Sequence, residues 1–315
     1  MTDKKIIVAD DGSTSVKLAW FEDKELKTLT VSNAAEYGRG FGDDGDQTFE
    51  VEGEAEPLTF FEAARSIRSK TERYQYDAHS VAAIHYALSE AGFKREEVKI
   101  AVTLPLSQFY KNGRKNEENI KRKKENILRH VKYENGGENN ITEILVYPEG
   151  IPAVYSKLVS PRGKALVESD ELTFLADMGG TTLDLCLFSG AANKILKAES
   201  FNVGMFDTFD DIKAAAGNAA LRDNNIRKLL ETGSAAGGKI KIDRMKATAP
   251  TMKKAQNLIV DFLGDDIQLL SNCFCIGGGA GLLAEKLVEV MGVNPEVIDH
   301  PVEALATSIA SIANK

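Results

Sequence analysis

Apolar and polar positions along the chain alternate between two periods. Runs such as IIVAD (6–10), VKIAVTL (98–104), EILVY (143–147), LTFLAD (172–177) and NCFCI (272–276) are short and apolar, as expected of buried strands. Between them lie stretches of helical spacing. Residues 78–91 place Val81, Ile84, Leu88 and Ala91 on one face, with Asp77 suited to the N-cap and Gly92 to termination. A very polar helix is expected over 116–132, an amphipathic one over 205–216 with Phe206, Phe209 and Ile212, and a longer one over 251–270. Pro301 suits the first position of a closing helix carrying Val302, Leu305, Ile309 and Ile312. Strands alternating with helices make the fold class α/β.

One pattern occurs twice. Residues 5–21 run KIIVADDGSTSVKLAWF, and residues 172–188 run LTFLADMGGTTLDLCLF. Each is an apolar strand ending in Ala-Asp, a turn of the form D-x-G-[SG]-T, and a second strand. The flanking runs agree as well as the turns, so the chain is expected to contain two related halves, each opening with a β-hairpin.

Composition narrows the choice of partners. The 315 residues carry 39 basic and 47 acidic side chains, a net charge of −8, which argues against an extended nucleic-acid surface. No apolar run reaches the roughly 18–20 residues of a membrane helix. The acid pair Asp10-Asp11 closely follows the first apolar run, which argues against a secretory leader. Cys186, Cys273 and Cys275 all sit in apolar runs, so reduced structural thiols and a cytoplasmic protein are expected. His79, His85, His130 and His300 lack ligand spacing. Charge is also blocked: residues 111–132 hold nine Lys or Arg against three Glu, and residues 36–56 hold eight acids against Arg39. Such runs are usually solvated faces; complementary patches pairing between successive subunits are the sharper alternative.

The turns carry the candidate chemistry. A glycine lets backbone N–H groups approach an anion, and Ser13, Thr14, Thr181 and Thr182 add hydroxyl donors. Lys17 supplies a point charge for phosphate. Asp10, with Asp11 beside it, and Asp177 would repel phosphate, so their natural task is to hold a divalent cation, through its waters. Gly277, Gly278 and Gly279 follow a strand and precede a helix, and would let the chain pass close to a flat ligand. A dinucleotide fingerprint is excluded there, because Leu282 occupies its third glycine position. Glu149, fixed by Pro148, Gly150 and Pro152 at the end of a strand, can orient or deprotonate a water. Each element taken alone also has a bland reading, as an ordinary turn or a surface acid.

Taken together they resemble the actin, heat-shock chaperone and sugar kinase superfamily. Asp10-x-Gly12-Ser13-Thr14 resembles its first phosphate motif and Asp177-x-Gly179-Gly180-Thr181-Thr182 its second. Glu149-Gly-Ile-Pro-Ala153 resembles the connecting motif, and Ile276-Gly-Gly-Gly-Ala280 the adenosine motif. DDGST, VTLPLSQFY (102–110), ENIKRKKEN (118–126) and YPEGIPAVY (147–155) resemble the ParM/StbA group of plasmid-segregation ATPases. The resemblance implies an actin-like ATPase fold: domain I over 1–160 plus 300–315, domain II over 161–299, and ATP, with GTP as the alternative, together with Mg²⁺ in the cleft between them. It further implies catalytic roles for Asp10, Glu149 and Asp177, with Asp10 and Asp177 serving the metal. Asp11, Gly12, Ser13, Thr14, Lys17, Gly179, Gly180, Thr181, Thr182 and Gly277 to Gly279 would bind the nucleotide. The implied function is an ATP-driven filament that segregates plasmids in a bacterial cytoplasm. It would touch DNA only indirectly, through a ParR-like DNA-binding adaptor. A small-molecule kinase on the same fold is the alternative.

Overall fold

The computed structural model describes residues 6–39, 47–61 and 72–314. They divide into two compact units, one built from residues up to 167 together with 299 onward, the other from 168–298.

The first unit opens with a hairpin of β1 (Ile6–Asp11) and β2 (Ser15–Glu22), followed by β3 (Glu25–Ser32). The short strands β4 (Ala35–Tyr37), β5 (Gln47–Val51) and β6 (Leu58–Phe60) come next, then helix α1 (Ala78–Glu90) and strand β7 (Glu97–Leu104). Helix α2 (Leu106–Phe109), a two-residue ribbon β8 (Tyr110–Lys111) and β9 (Arg114–Lys115), and helix α3 (Glu117–Ile127) lead to β10 (Val131–Tyr133), β11 (Asn140–Pro148) and α4 (Ile151–Leu158). The main sheet runs in the order β11-β7-β1-β2-β3, with β1, β7 and β11 parallel. Alternation along β1 sends Ile7 and Ala9 into a core shared with Val81, Ile84 and Leu88 of α1. Asp77 caps α1 as expected, its carboxylate accepting from the Ser80 N–H at 3.1 Å.

The second unit repeats this plan. Strands β12 (Leu172–Met178), β13 (Leu183–Ser189) and β14 (Lys194–Phe201) form the antiparallel part. Helices α5 (Met205–Ala215) and α6 (Asp223–Thr232), the ribbon β15 (Ser234–Ala235) and β16 (Ile240–Lys241), and helix α7 (Arg244–Leu263) precede β17 (Leu270–Ile276), α8 (Ala280–Leu287) and β18 (Glu296–Val297). The sheet order β14-β13-β12-β17-β18 is that of the first unit strand for strand, so the doubled sequence motif reflects a doubled topology. Helices α7 and α8 bury Met252, Ile259, Leu283 and Leu287 against β12 and β13. The chain then returns to the first unit, where α9 (Ala304–Ala313) packs on β1, β2 and α4, and Asn314 hydrogen-bonds both backbone groups of Ile6.

Three expected helices have different limits. The polar helix expected over 116–132 stops at Ile127, because Val131-Lys132-Tyr133 alternates inward and outward and pairs with Val51-Glu50-Phe49. The helix expected from 251 begins at Arg244, capped by Asp243, and carries Pro250 inside it; Gly264 at φ +55° ends it before 270. The last helix starts at Ala304, three residues beyond Pro301, after a turn in which the Glu303 and Ala304 N–H groups bond the His300 carbonyl.

The two charge runs meet inside the first unit. Arg129 donates to the Glu52 carbonyl and the Glu54 carboxylate, and Lys132 lies 3.5 Å from Glu50, which also receives Arg39. Part of each run therefore neutralises the other along the β5–β10 pairing. Lys123 is not on the strip at all, because its side chain is wholly buried. Asp43, Asp44 and Asp46 of the acidic run lie outside the described residues. All three cysteines are buried and free, as expected.

Candidate functional site

The parallel strands β1, β7 and β11 end on one edge of the first sheet, where Asp10, Thr103 and Glu149 follow one another across the strands. This is the edge at which open α/β sheets bind ligands. Thr103 donates to one Asp10 oxygen at 3.3 Å, and the Lys17 ammonium stands 3.3 Å from the other. Lys17 faces Asp10 because the hairpin register pairs them directly, which puts both side chains on one face. Glu149 is half-buried; its N–H is held by the Leu104 carbonyl at 2.8 Å, and Gly150 turns the chain at φ +78° to start α4.

Between β1 and β2 the half-exposed turn Gly12-Ser13-Thr14 is tight. A Cβ at Gly12 would come within 2.9 Å of the Lys17 ammonium. Asp11 turns the other way. Its carboxylate is fully buried and paired with Lys123 of α3 at 2.5 Å, and Lys123 also reaches the Gln75 amide oxygen at 2.6 Å. Burial pushes the Asp11 carboxyl above the ordinary carboxylate value, and Lys123 opposes that. The first unit thus groups Asp10, Gly12 to Thr14, Lys17 and Glu149 along one edge, with Asp11 behind them.

In the second unit β12 ends at the equivalent place. Asp177 stands directly opposite Asp184 of β13, where the first unit has Lys17 opposite Asp10. Asp184 is buried and receives the Thr182 hydroxyl at 2.8 Å and the Ser200 hydroxyl; burial raises its pKa, and the two hydroxyls lower it. The carbonyls of Gly179 and Gly180 accept the Met205 and Phe206 N–H groups at the start of α5, each at 2.9 Å. Gly204 makes that contact possible, since a Cβ there would sit 2.6 Å from the Gly180 carbonyl carbon. The parallel pairing of β12 with β17 brings the glycine triplet to the same place. Gly277, at φ +83°, leaves its missing Cβ on the Asp177 carboxylate and 2.7 Å from the Met178 carbonyl. Around Gly278 the corresponding space is open. The second unit therefore groups Asp177, Gly179 to Thr182 and Gly277 to Gly279.

The residue types fit a magnesium nucleotide. Each turn holds glycines and hydroxyl side chains, and one carboxylate stands at the end of each leading strand. Among the described residues no cluster of three or more His, Cys, Asp or Glu could hold a metal. Sequence reasoning missed Asn33, Thr103, Lys123, Asp184 and Gly204. Asn33 and Gly204 belong to no motif, and Thr103, Lys123 and Asp184 lie in stretches quoted for other reasons; each matters through a partner supplied by the fold.

Residues 5–160 match the family described as "Plasmid segregation protein ParM, N-terminal". The N-terminal half of this chain belongs to the ParM/StbA family. No curated protein matches the sequence. Among solved structures, Ta0583, an archaeal actin homolog, superposes on this chain with a TM-score of 0.74 at 16% identity, covering 98% of this chain and 99% of that one. A 15-stranded ParM filament from Clostridium botulinum matches with a TM-score of 0.72 at 16% identity, and a non-polymerisable pCBH ParM mutant with 0.69 at 19%, each covering 99% of both chains. The fold is therefore actin-like. Ta0583 has also been solved in complex with ADP. Among the described residues no helix is long and apolar enough to cross a membrane.

Proposed function

We propose that this chain is an ATP-driven, filament-forming segregation protein of the ParM type. One observation carries the reading. Two sheets of identical strand order each present an aspartate and a glycine turn with inward-held carbonyls, on a chain whose N-terminal half belongs to the ParM family. Each turn is a phosphate site for a magnesium-nucleotide. Gly12 to Thr14 and Lys17 take the β- and γ-phosphates, Gly179 to Thr182 take the phosphates from the second turn, and Gly277 to Gly279 pass the adenosine. Asp10 and Asp177 are the carboxylates that would hold the cation, and Glu149 would align the attacking water. The cation neutralises charge on the phosphates when bound. The γ-phosphate favours the polymerising state, and its loss weakens subunit contacts. Self-association is supported by the filament formed by the C. botulinum ParM. The partner read from the family is a ParR-like adaptor that carries the DNA, in the bacterial cytoplasm.

Ultracentrifugal pelleting with and without ATP and Mg²⁺ tests this. Pelleting that requires both supports the filament. Protein that stays in solution under every nucleotide, and transfers phosphate to an added metabolite, is instead a small-molecule kinase.

A further inference from the structure

Behind the first phosphate turn, Asn33 bonds both ends of it. Its side-chain Nδ2 donates to the Gly12 carbonyl at 2.7 Å, and its main-chain N–H donates to the Thr14 carbonyl at 3.3 Å. The Tyr74 hydroxyl, 2.9 Å from Asn33 Nδ2, gives the Gly12 carbonyl a second donor at 3.3 Å. Both lone pairs of that carbonyl are then engaged. A trans peptide points its C=O and the following N–H in opposite directions. The Gly12 carbonyl drawn inward therefore turns the Ser13 N–H the opposite way, as the amides of an anion-binding nest are turned, while the Asn33 N–H on the Thr14 carbonyl continues the β2–β3 pairing that anchors the end of the turn.

The geometry points to Asn33 as the positioning residue of the first phosphate turn, aiming its amides at the β- and γ-phosphates of a nucleotide. This rests on the nucleotide reading above and names the side chain on which half of that site depends. The two units solve one problem differently. In the second, the carbonyls of Gly179 and Gly180 are drawn in by backbone N–H groups at the start of α5. In the first, a side chain does it.

The surroundings hold Asn33 in this orientation. It is fully buried, and its Oδ1 has no hydrogen-bond partner among the described residues. Flipping the amide would set that oxygen against the Gly12 carbonyl, two acceptors face to face, so the orientation is set by the turn at the expense of an unsatisfied oxygen. Neutral His79 donates from Nε2 to the Asn33 carbonyl at 2.7 Å, burial having lowered its pKa. Burial, with the Asp11 charge adding to it, pushes the Tyr74 phenol well above its usual value, so the hydroxyl keeps the proton it donates. Tyr74 belongs to the short 3₁₀ segment Glu72–Tyr76, which Gln75 ties to Lys123 and through it to Asp11.

Two variants of the full-length protein test the assignment, Asn33→Asp and Tyr74→Phe. The first keeps the shape of the side chain but offers the Gly12 carbonyl no donor; the second removes only a hydroxyl. Calorimetric titration with Mg-ATP and with AMP is compared with wild type at a temperature where circular dichroism shows each variant folded. Expected for Asn33→Asp is Mg-ATP affinity weaker by about tenfold or more, and for Tyr74→Phe a loss of roughly twofold to fivefold. AMP, which lacks the β- and γ-phosphates, keeps its affinity within about twofold by the same reckoning. The Ser13 amide resonance is also expected to shift in the nucleotide-free variants. Should Asn33→Asp fail to fold, Tyr74→Phe carries the test alone. Unchanged Mg-ATP affinity, or an equal loss for AMP, overturns the positioning role and leaves the nucleotide reading standing. Wild-type protein that binds no ATP overturns both.

Discussion

Replacing Lys123 by Met keeps most of the side-chain volume and removes the charge that faces Asp11. Both side chains are fully buried, and the second Asp11 oxygen already has no hydrogen-bond partner among the described residues. The variant therefore leaves a carboxylate in the interior with neither water nor a counter-ion. Removing one partner of a buried pair costs about 3–5 kcal/mol, whereas an exposed pair such as Lys27 with Glu25 contributes about 0–1 kcal/mol. The protein supplies its own probe, since Trp20 is the single tryptophan and packs edge-on against Phe93 at 5.4 Å in the first unit. Urea unfolding followed by Trp20 fluorescence should show a midpoint lower by more than about 1 M for Lys123→Met. Adding Asn at position 11 in place of Asp should recover most of the loss, because the stranded charge is gone. The pH dependence follows with a definite sign. Asp11 titrates above its unfolded value of 3.8, more so without Lys123, so the folded state holds the extra proton and loses stability as pH rises through that window. The deficit of Lys123→Met should accordingly be smaller at pH 5 than at pH 8. A midpoint no lower than that of Lys27→Met, or no recovery in the double variant, would falsify the buried-pair account.

Other consequences can be measured separately. Burial lowers His85 from 6.5 to about 4, so the stability that its neutral form maintains is lost as pH falls through that range, by up to roughly 3 kcal/mol. His85→Gln, which keeps a partner for Tyr133, should flatten the acid limb of the Trp20 unfolding curve. Asp77, raised to about 6, acts with the opposite sign, so Asp77→Asn should steepen that limb; the same slope change in both variants contradicts the assignment. Gly204→Ala drives a methyl group into the Gly180 carbonyl and should cost about 1–3 kcal/mol in thermal stability while weakening Mg-ATP binding. A variant that binds ATP as wild type does would show that α5 does not set the second turn. Asp177→Ala and Glu149→Ala should slow ATP hydrolysis, measured as phosphate release, far more than they lower the melting temperature. Unchanged turnover in both would remove these residues from the catalytic set.

Helix α1 was legible end to end, because its apolar face, its Asp77 cap and the Gly92 stop are all local signals. The hairpins were legible for the same reason, and their repetition reported a repeated sheet order. The misjudged end of α3 has a non-local cause. The three residues of β10 are too few to outweigh the polar helical pattern before them, and only pairing with β5, some eighty positions earlier, makes them a strand. Lys123 looked like one more charge on a basic strip, since nothing in its neighbours announces that it is buried.

Spacing along the chain thus determined the α/β class, the two halves, the two aspartate-bearing turns and the glycine triplet, because a turn and its flanking strands are encoded within a few residues. Tertiary structure alone decided which charges lie inside and which way the turn carbonyls face. Asp11 needs Lys123, the Gly12 carbonyl needs Asn33 and Tyr74, and the Gly180 carbonyl needs the start of α5. The physical reason is that desolvation and hydrogen-bond direction depend on partners far away in sequence, which local periodicity does not record.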